Sequence, residues 1–126
     1  MTESEERNES SQDLQETVIN IAVEAWRFGR VFERLLLKLD AGEQTRYRNQ
    51  FRWFTKKVEE ALAGANLHLV NIEGQRFDPG AAVTPLNIED FEPDDVLVVE
   101  QMVEPIIMGK ACLIRTGTVI LKKVEI

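Results

Sequence analysis

Apolar residues Val18, Ile21, Ala25, Phe28, Phe32, Leu35 and Leu39 follow one another at alternating steps of three and four, with charged and polar residues between them. That spacing is one stripe along an α-helix and predicts a helix from about residue 12 to Leu39. A second stripe, Tyr47, Phe51, Phe54, Val58 and Leu62, has the same steps and predicts a helix from about Glu43 to Ala63. Between them Asp40-Ala41-Gly42 breaks the period, with Gly42 in the place expected just past a helix end, and Gly64 is placed to end the second helix. The two stripes face each other as an antiparallel helical hairpin. Gly29, which costs a helix about 1 kcal/mol relative to alanine, marks a point where the two helices approach closely.

That pairing leaves Ile19, Trp26 and Leu37 uncovered, roughly opposite the stripe of their own helix. A hairpin cannot bury two faces of one helix, so the expectation is a homodimer whose hairpins form a four-helix bundle. Its interface would draw on Val18, Ile21, Ala25, Trp26, Phe28, Phe32, Leu35 and Leu39 of the first helix and Phe51, Phe54 and Val58 of the second. The other reading is that the C-terminal half of the same chain covers the second face.

From Leu67 the period changes to alternation, with Leu67 and Leu69 on one face and His68, Val70 and Ile72 on the other, which predicts a strand. Turns are expected at Glu73–Arg76 and at Phe77-Asp78-Pro79-Gly80. A short strand over Val83–Ile88 precedes an acidic turn, Phe91–Asp95. Val96–Val99 reads as a strand buried on both faces, and Pro105 as an edge or bend. Met108-Gly109-Lys110 reads as a hairpin tip, with closing strands over Ala111–Ile114 and Thr118–Val124. The fold class is therefore α+β, a helical hairpin followed by a small, mainly antiparallel β module. Residues 1–11, rich in Glu, Ser and Asn, are expected to be a disordered acidic tail, residues 12–65 the dimerising hairpin, and 66–126 the β domain.

The 126 residues, 44% hydrophobic and 29% charged, lie in the range of an ordinary globular protein. No apolar run reaches the roughly 18 residues needed to span a bilayer, and the acidic start is unlike a signal peptide, so a cytoplasmic protein is expected. The lone Cys112, between Ala111 and Leu113, excludes a disulfide framework within the chain and reads as a buried thiol. A net charge of -7 weighs against general nucleic-acid binding. The basic stretch Arg46, Arg48, Arg52, Lys56 and Lys57 reads as a solvated helix face, with RNA binding as a third-ranked alternative. Trp53 lies off the apolar stripe and is either a helix contact or an aromatic open to a partner.

No catalytic constellation is present in the sequence. His68 is the single histidine, without neighbours at metal-ligand spacing. The acids Glu89, Asp90, Glu92, Asp94 and Asp95 lack the glycine and closing glutamate of a calcium loop, and Gly109-Lys110 lacks the rest of a phosphate loop. No enzyme activity, metal or cofactor is expected.

The order of parts is long helix, shorter helix, then a β module opening at Phe77-Asp78-Pro79 and closing with Ile114-Arg115 and a β-branched strand. That order resembles the GrpE family, nucleotide exchange factors of DnaK-type chaperones. Asp78-Pro79 is similar to the Asp-Pro turn that starts the family's β wing. Pro93, Val96 and Gln101 are similar to its Pro-Gly-x-Val strand start and following Gln, and Ile114, Arg115 and Val119 to its closing apolar-Arg-x-x-x-Val pattern. The chain departs from the family at Gly80-Ala81-Ala82-Val83, at Met102-Val103-Glu104 after the Gln, and in the short helix expected ahead of the bundle. The resemblance implies a homodimeric cochaperone that binds the ATPase domain of a DnaK-type chaperone and promotes ADP release, with Phe77, Pro79, Gln101, Arg115 and Leu121 as contact residues. Arg115 has a second reading, an ion pair with Glu92 or Asp94 of its own chain. A non-enzymatic dimeric adaptor of similar fold is the alternative function.

Overall fold

The computed structural model describes residues 2–125. Two long helices are followed by short strands in small sheets, an α+β arrangement, and the contacts divide the chain between Ala65 and Asn66. Helix α1 spans Glu3–Leu36 and α2 spans Ala41–Gly64. In the second unit β1 is His68–Val70, β2 Val83–Pro85, β3 Leu97–Glu104, β4 Ile106–Met108, β5 Leu113–Arg115 and β6 Gly117–Lys123, with a 3-10 turn at Ile88–Asp90.

Helix α1 begins well before the expected start. The Thr2 hydroxyl accepts from the Glu5 amide at 3.3 Å while the Glu5 carboxylate accepts from the Thr2 amide at 3.2 Å. This capping box, with Glu3, Glu5 and Glu6 at the positive end of the helix and Arg7 paired to Glu3 at 3.8 Å, supports helix through the stretch expected as a disordered tail. The break between the helices also differs from expectation. Asp40 is the N-cap of α2, its carboxylate accepting from the Glu43 amide at 2.9 Å, so Gly42 lies inside the first turn of α2 rather than past the end of α1. Likewise α2 takes in Gly64, and the residue with positive φ just past this helix is Asn66 at 59°, a type whose short amide tolerates that region.

Where the helices pack, the Phe51 ring lies over Gly29; a Cβ there would stand 3.0 Å from Phe51 Cζ. Phe51 stacks on Phe32 at 5.5 Å, and Phe32 on Phe28 at 6.4 Å. The glycine thus seats a ring rather than a second backbone. Along α2, Tyr47, Phe51, Val58 and Leu62 are buried or half-buried at helical spacing. On α1 the expected division between the two faces is only partly kept. Ile19 is buried and Trp26 half-buried beneath the Arg30 guanidinium at 4.2 Å, while Val18, Ile21, Phe28 and Leu35 are exposed. Only Ala25, Phe32 and Leu39 of that stripe are half-buried. Leu37 is exposed as well.

The second unit holds two three-stranded sheets, ordered β1-β4-β5 and β2-β6-β3. All pairs are antiparallel except β2–β6, which is parallel, with Val83, Thr84 and Pro85 beside Gly117, Thr118 and Val119. In β3, Leu97 and Val99 are buried, Val98 half-buried and Glu100 exposed, so the strand has one buried face rather than the expected two. Buried Pro105 separates β3 from β4 and is the bend its lack of an N–H suggested. Gly117 is a forced choice: a Cβ would lie 2.9 Å from the Glu104 carbonyl oxygen and 2.9 Å from Met102 Cε. Leu97, Val99, Met102, Ile106, Ile107, Val119 and Leu121 are buried in this unit.

The β3 edge of the second sheet is closed. Gly74 and Phe77 donate to the Val99 and Leu97 carbonyls at 2.8 Å each, and Val99 donates to Gln75 at 2.9 Å, covering β3. Past the end of β2, the Asn87 side-chain amide carries on that strand's pairing with β6, donating to the Leu121 carbonyl and accepting from its N–H, both at 2.9 Å. Closing the β3 edge removes unpaired amides through which a strand adds to foreign chains.

Candidate partner-binding surface

The residues singled out from sequence fall in three places. Phe77 and Pro79 line an open cleft of about 390 Å3, together with Ile88, Phe91, Glu92 and Asp95. The Asp78 carboxylate accepts from the Gly80 amide at 2.9 Å, an Asx turn that presents Pro79 to solvent. Asp95 accepts from the Glu92 amide at 2.9 Å and pairs with Lys123 at 3.2 Å. The Glu92 N–H, followed by Lys123, holds the Asp95 carboxyl below the usual carboxylate range against the opposing effect of burial. The cleft therefore has an aromatic and proline lining beside an acidic turn whose Asp95 is already engaged.

Gln101 and Arg115 lie apart from this cleft. The register sets Gln101 beside Ile120 and Glu104 beside Thr118, on the face of the β3–β6 pair opposite the buried Val99, Met102, Val119 and Leu121. Arg115 Nη2 meets Glu104 Oε2 at 3.2 Å, and the Thr118 hydroxyl lies 3.4 Å from Glu104 Oε1. The ion pair expected with Glu92 or Asp94 is thus made with Glu104 instead. Leu121, expected as a contact residue, is 1% exposed. Alternation along β6 turns Gly117, Val119 and Leu121 inward, so its side chain packs the core and cannot touch a partner.

One further expectation is corrected, the buried thiol. Cys112 is exposed, in the turn where the Gly109 amide donates to the Cys112 carbonyl at 2.7 Å, because that reversal holds it off the strands. His68 is also exposed, and no cluster of metal-ligating side chains is found among the described residues. In the helical unit, Trp53 is exposed with Lys57 Nζ 5.7 Å from its ring centroid. Arg48 and Arg52 line a surface pocket of about 220 Å3 with Gln44, Thr45 and Asn49. Glu104 and Asn87 were not legible beforehand, since each acts on a residue brought near only by strand pairing. No helix among the described residues is long and apolar enough to cross a membrane. No family model, curated protein or solved structure matches this chain.

Proposed function

We propose that the chain is a GrpE-like cochaperone, a homodimer through its helices that binds the ATPase domain of a DnaK-type chaperone and promotes ADP release. The observation carrying this reading is the order of a long helix, a shorter helix and a β unit that displays the Asp78-Pro79 turn, Gln101 and Arg115 on its surface. No bond is made or broken. A binding protein accelerates nucleotide loss by preferring the open state of its partner, and it shifts that equilibrium only by the difference in its affinities for the two states. A stiff surface serves that end, and the covered β3 edge together with the Asn87 clamp on β6 supplies stiffness.

In this reading the Phe77–Pro79 cleft and the face bearing Gln101 and Arg115 are the contact patches, and Leu121 acts only by holding β6 in place. The second reading, a dimeric adaptor, is favoured by exposed Trp53 beside the cations of α2, a surface the exchange reading does not use. Release of a fluorescent ADP from a DnaK-type chaperone, measured with and without this chain, distinguishes them. Acceleration supports exchange; tight binding without acceleration supports the adaptor. Failure to bind the ATPase domain refutes the cochaperone reading.

A further inference from the structure

We infer that two copies pair antiparallel along α1, with the twofold axis passing near the Glu24–Ala25 peptide. This rests on the homodimer of the preceding section and specifies its geometry. The exposed apolar residues of α1 are Leu14 at 67%, Val18 at 36%, Ile21 at 65%, Phe28 at 64%, Val31 at 59% and Leu35 at 52%. At about 100° per residue they fall in one arc of roughly 140°, a stripe interrupted by Thr17 and by Glu24, whose carboxylate pairs with Arg27 of its own helix at 3.0 Å. Leu14, Ile21, Phe28 and Leu35 recur at the seven-residue interval of paired helices. Single exposed leucines need no explanation, but a stripe three heptads long does.

The positions are also symmetric. Ile21 and Phe28 stand equally far from the Glu24–Ala25 peptide, then Val18 and Val31, then Leu14 and Leu35. A twofold interface sets residue i of one copy against j of the other and j against i, so this mirror order is what an antiparallel pair requires. Apolar pattern alone also admits a parallel pair, in which each residue meets its own copy. Charge decides between them.

The first half of α1 carries Glu3, Glu5, Glu6, Glu9, Asp13 and Glu16 against one cation, Arg7, whereas its second half carries Arg27, Arg30 and Arg34 against Glu24 and Glu33, with Lys38 just past its end. A parallel pair would set the acidic halves side by side. The antiparallel pair sets acids against bases. On the helical wheel Glu9, Asp13, Glu16 and Arg34 share one flank of the stripe, and Lys38 follows on that side in the turn where its amide donates to the Leu35 carbonyl at 3.1 Å; in antiparallel pairs like flanks face each other. Lys38 then falls between the partner's Glu9 and the partner's Asp13, and Arg34 between the partner's Asp13 and the partner's Glu16. None of these five side chains forms an ion pair within its own chain among the described residues.

Oxidative cross-linking tests this in the full chain, with Cys112→Ser as background. One preparation carries Leu14→Cys and another Leu35→Cys, both at exposed positions. The expected result is a disulfide-linked dimer when the two are mixed and none in either alone. Linked dimers in each preparation alone mean a parallel pair and overturn the inference while leaving the dimer standing. A sedimenting dimer with no link in any sample places the interface elsewhere and also overturns it. A monomer at micromolar concentration removes the homodimer itself.

The second test does not depend on cysteine placement. Arg34→Glu with Lys38→Glu should weaken self-association at least tenfold, and adding Asp13→Lys with Glu16→Lys should restore it to within threefold at low salt. Loss without restoration, or no loss, refutes the charge pairing. Neither experiment involves a chaperone, so both stay separate from the ADP-release assay.

Discussion

Replacing Arg115 with alanine separates a contact role from a structural one, because the two carry different magnitudes. The guanidinium meets Glu104 at 3.2 Å with side chains 42% and 19% exposed, so water screens the pair and its worth to stability is at most about 1 kcal/mol. Glu104 is not stranded by the change, since the Thr118 hydroxyl stays beside it. A unit of this size loses roughly 4–8 °C in Tm per kcal/mol, which sets the largest expected fall. A charge-assisted bond from Arg115 to a carboxylate of the chaperone is worth about 1.5–3 kcal/mol. Its loss weakens binding about 10- to 150-fold at roughly 1.4 kcal/mol per tenfold.

Calorimetric titration with an ATPase domain, ADP release and thermal melting on one sample supply the three readouts. Glu104→Gln is the companion variant: it removes the internal partner and leaves the guanidinium, so Tm should fall slightly while binding holds or strengthens. If Arg115→Ala lowers Tm as calculated yet leaves binding and ADP release within twofold, Arg115 is a strut of the hairpin and the contact assignment fails.

Asn87→Ala removes two 2.9 Å bonds to Leu121 and should cost about 2–3 kcal/mol in urea denaturation; a loss below about 0.5 kcal/mol would show that water fills the gap unaided. Asp95 titrates below its unfolded value, so its stabilising contribution is present above the unfolded carboxyl pKa of about 3.9 and is lost as pH falls through the folded value. Asp95→Asn should flatten that part of the acid profile, and an unchanged profile would count against the Glu92 and Lys123 contacts as its source. The two packed glycines should differ sharply. Gly117→Ala drives a Cβ against the Glu104 carbonyl and should cost about 1–3 kcal/mol, while Gly29→Ala meets only a ring edge that can turn and gains about 1 kcal/mol of helix propensity, leaving Tm nearly unchanged.

Much of the backbone plan was legible because it depends on local pattern. The stripe of α2, the change of period at Asn66, the turn at Asp78-Pro79 and the bend at Pro105 each follow from residue type within a few positions. The errors have physical sources too. A composition argument left Met1–Ser11 unstructured, since it counts apolar residues and is blind to the capping box of Thr2 and Glu5. The apolar stripe on α1 was expected against α2 along its length, yet only Ala25, Phe32 and Leu39 of it are half-buried, because periodicity says that a face is apolar and not which neighbour arrives. Leu121 and Glu104 were misjudged or missed for a related reason. Strand register, set by partners far along the chain, decides which of two alternating faces is inside. Residue type and spacing alone therefore could not separate the packing residues of the β unit from its surface residues.

The order β2-β6-β3 has a consequence for how this protein is made. The central strand of that sheet is the latest of its three in the chain, and it joins one neighbour in parallel and the other in antiparallel fashion. During synthesis β2 and β3 emerge with no strand yet between them, whereas α1 and α2 meet through a short connection as soon as both exist. The β unit must then close late and in one cooperative step, governed by distant contacts and correspondingly slow. Until Gly117–Lys123 arrives, Leu97, Val99 and Met102 form an uncovered apolar row on a nascent chain, the kind of segment that aggregates unless it is shielded.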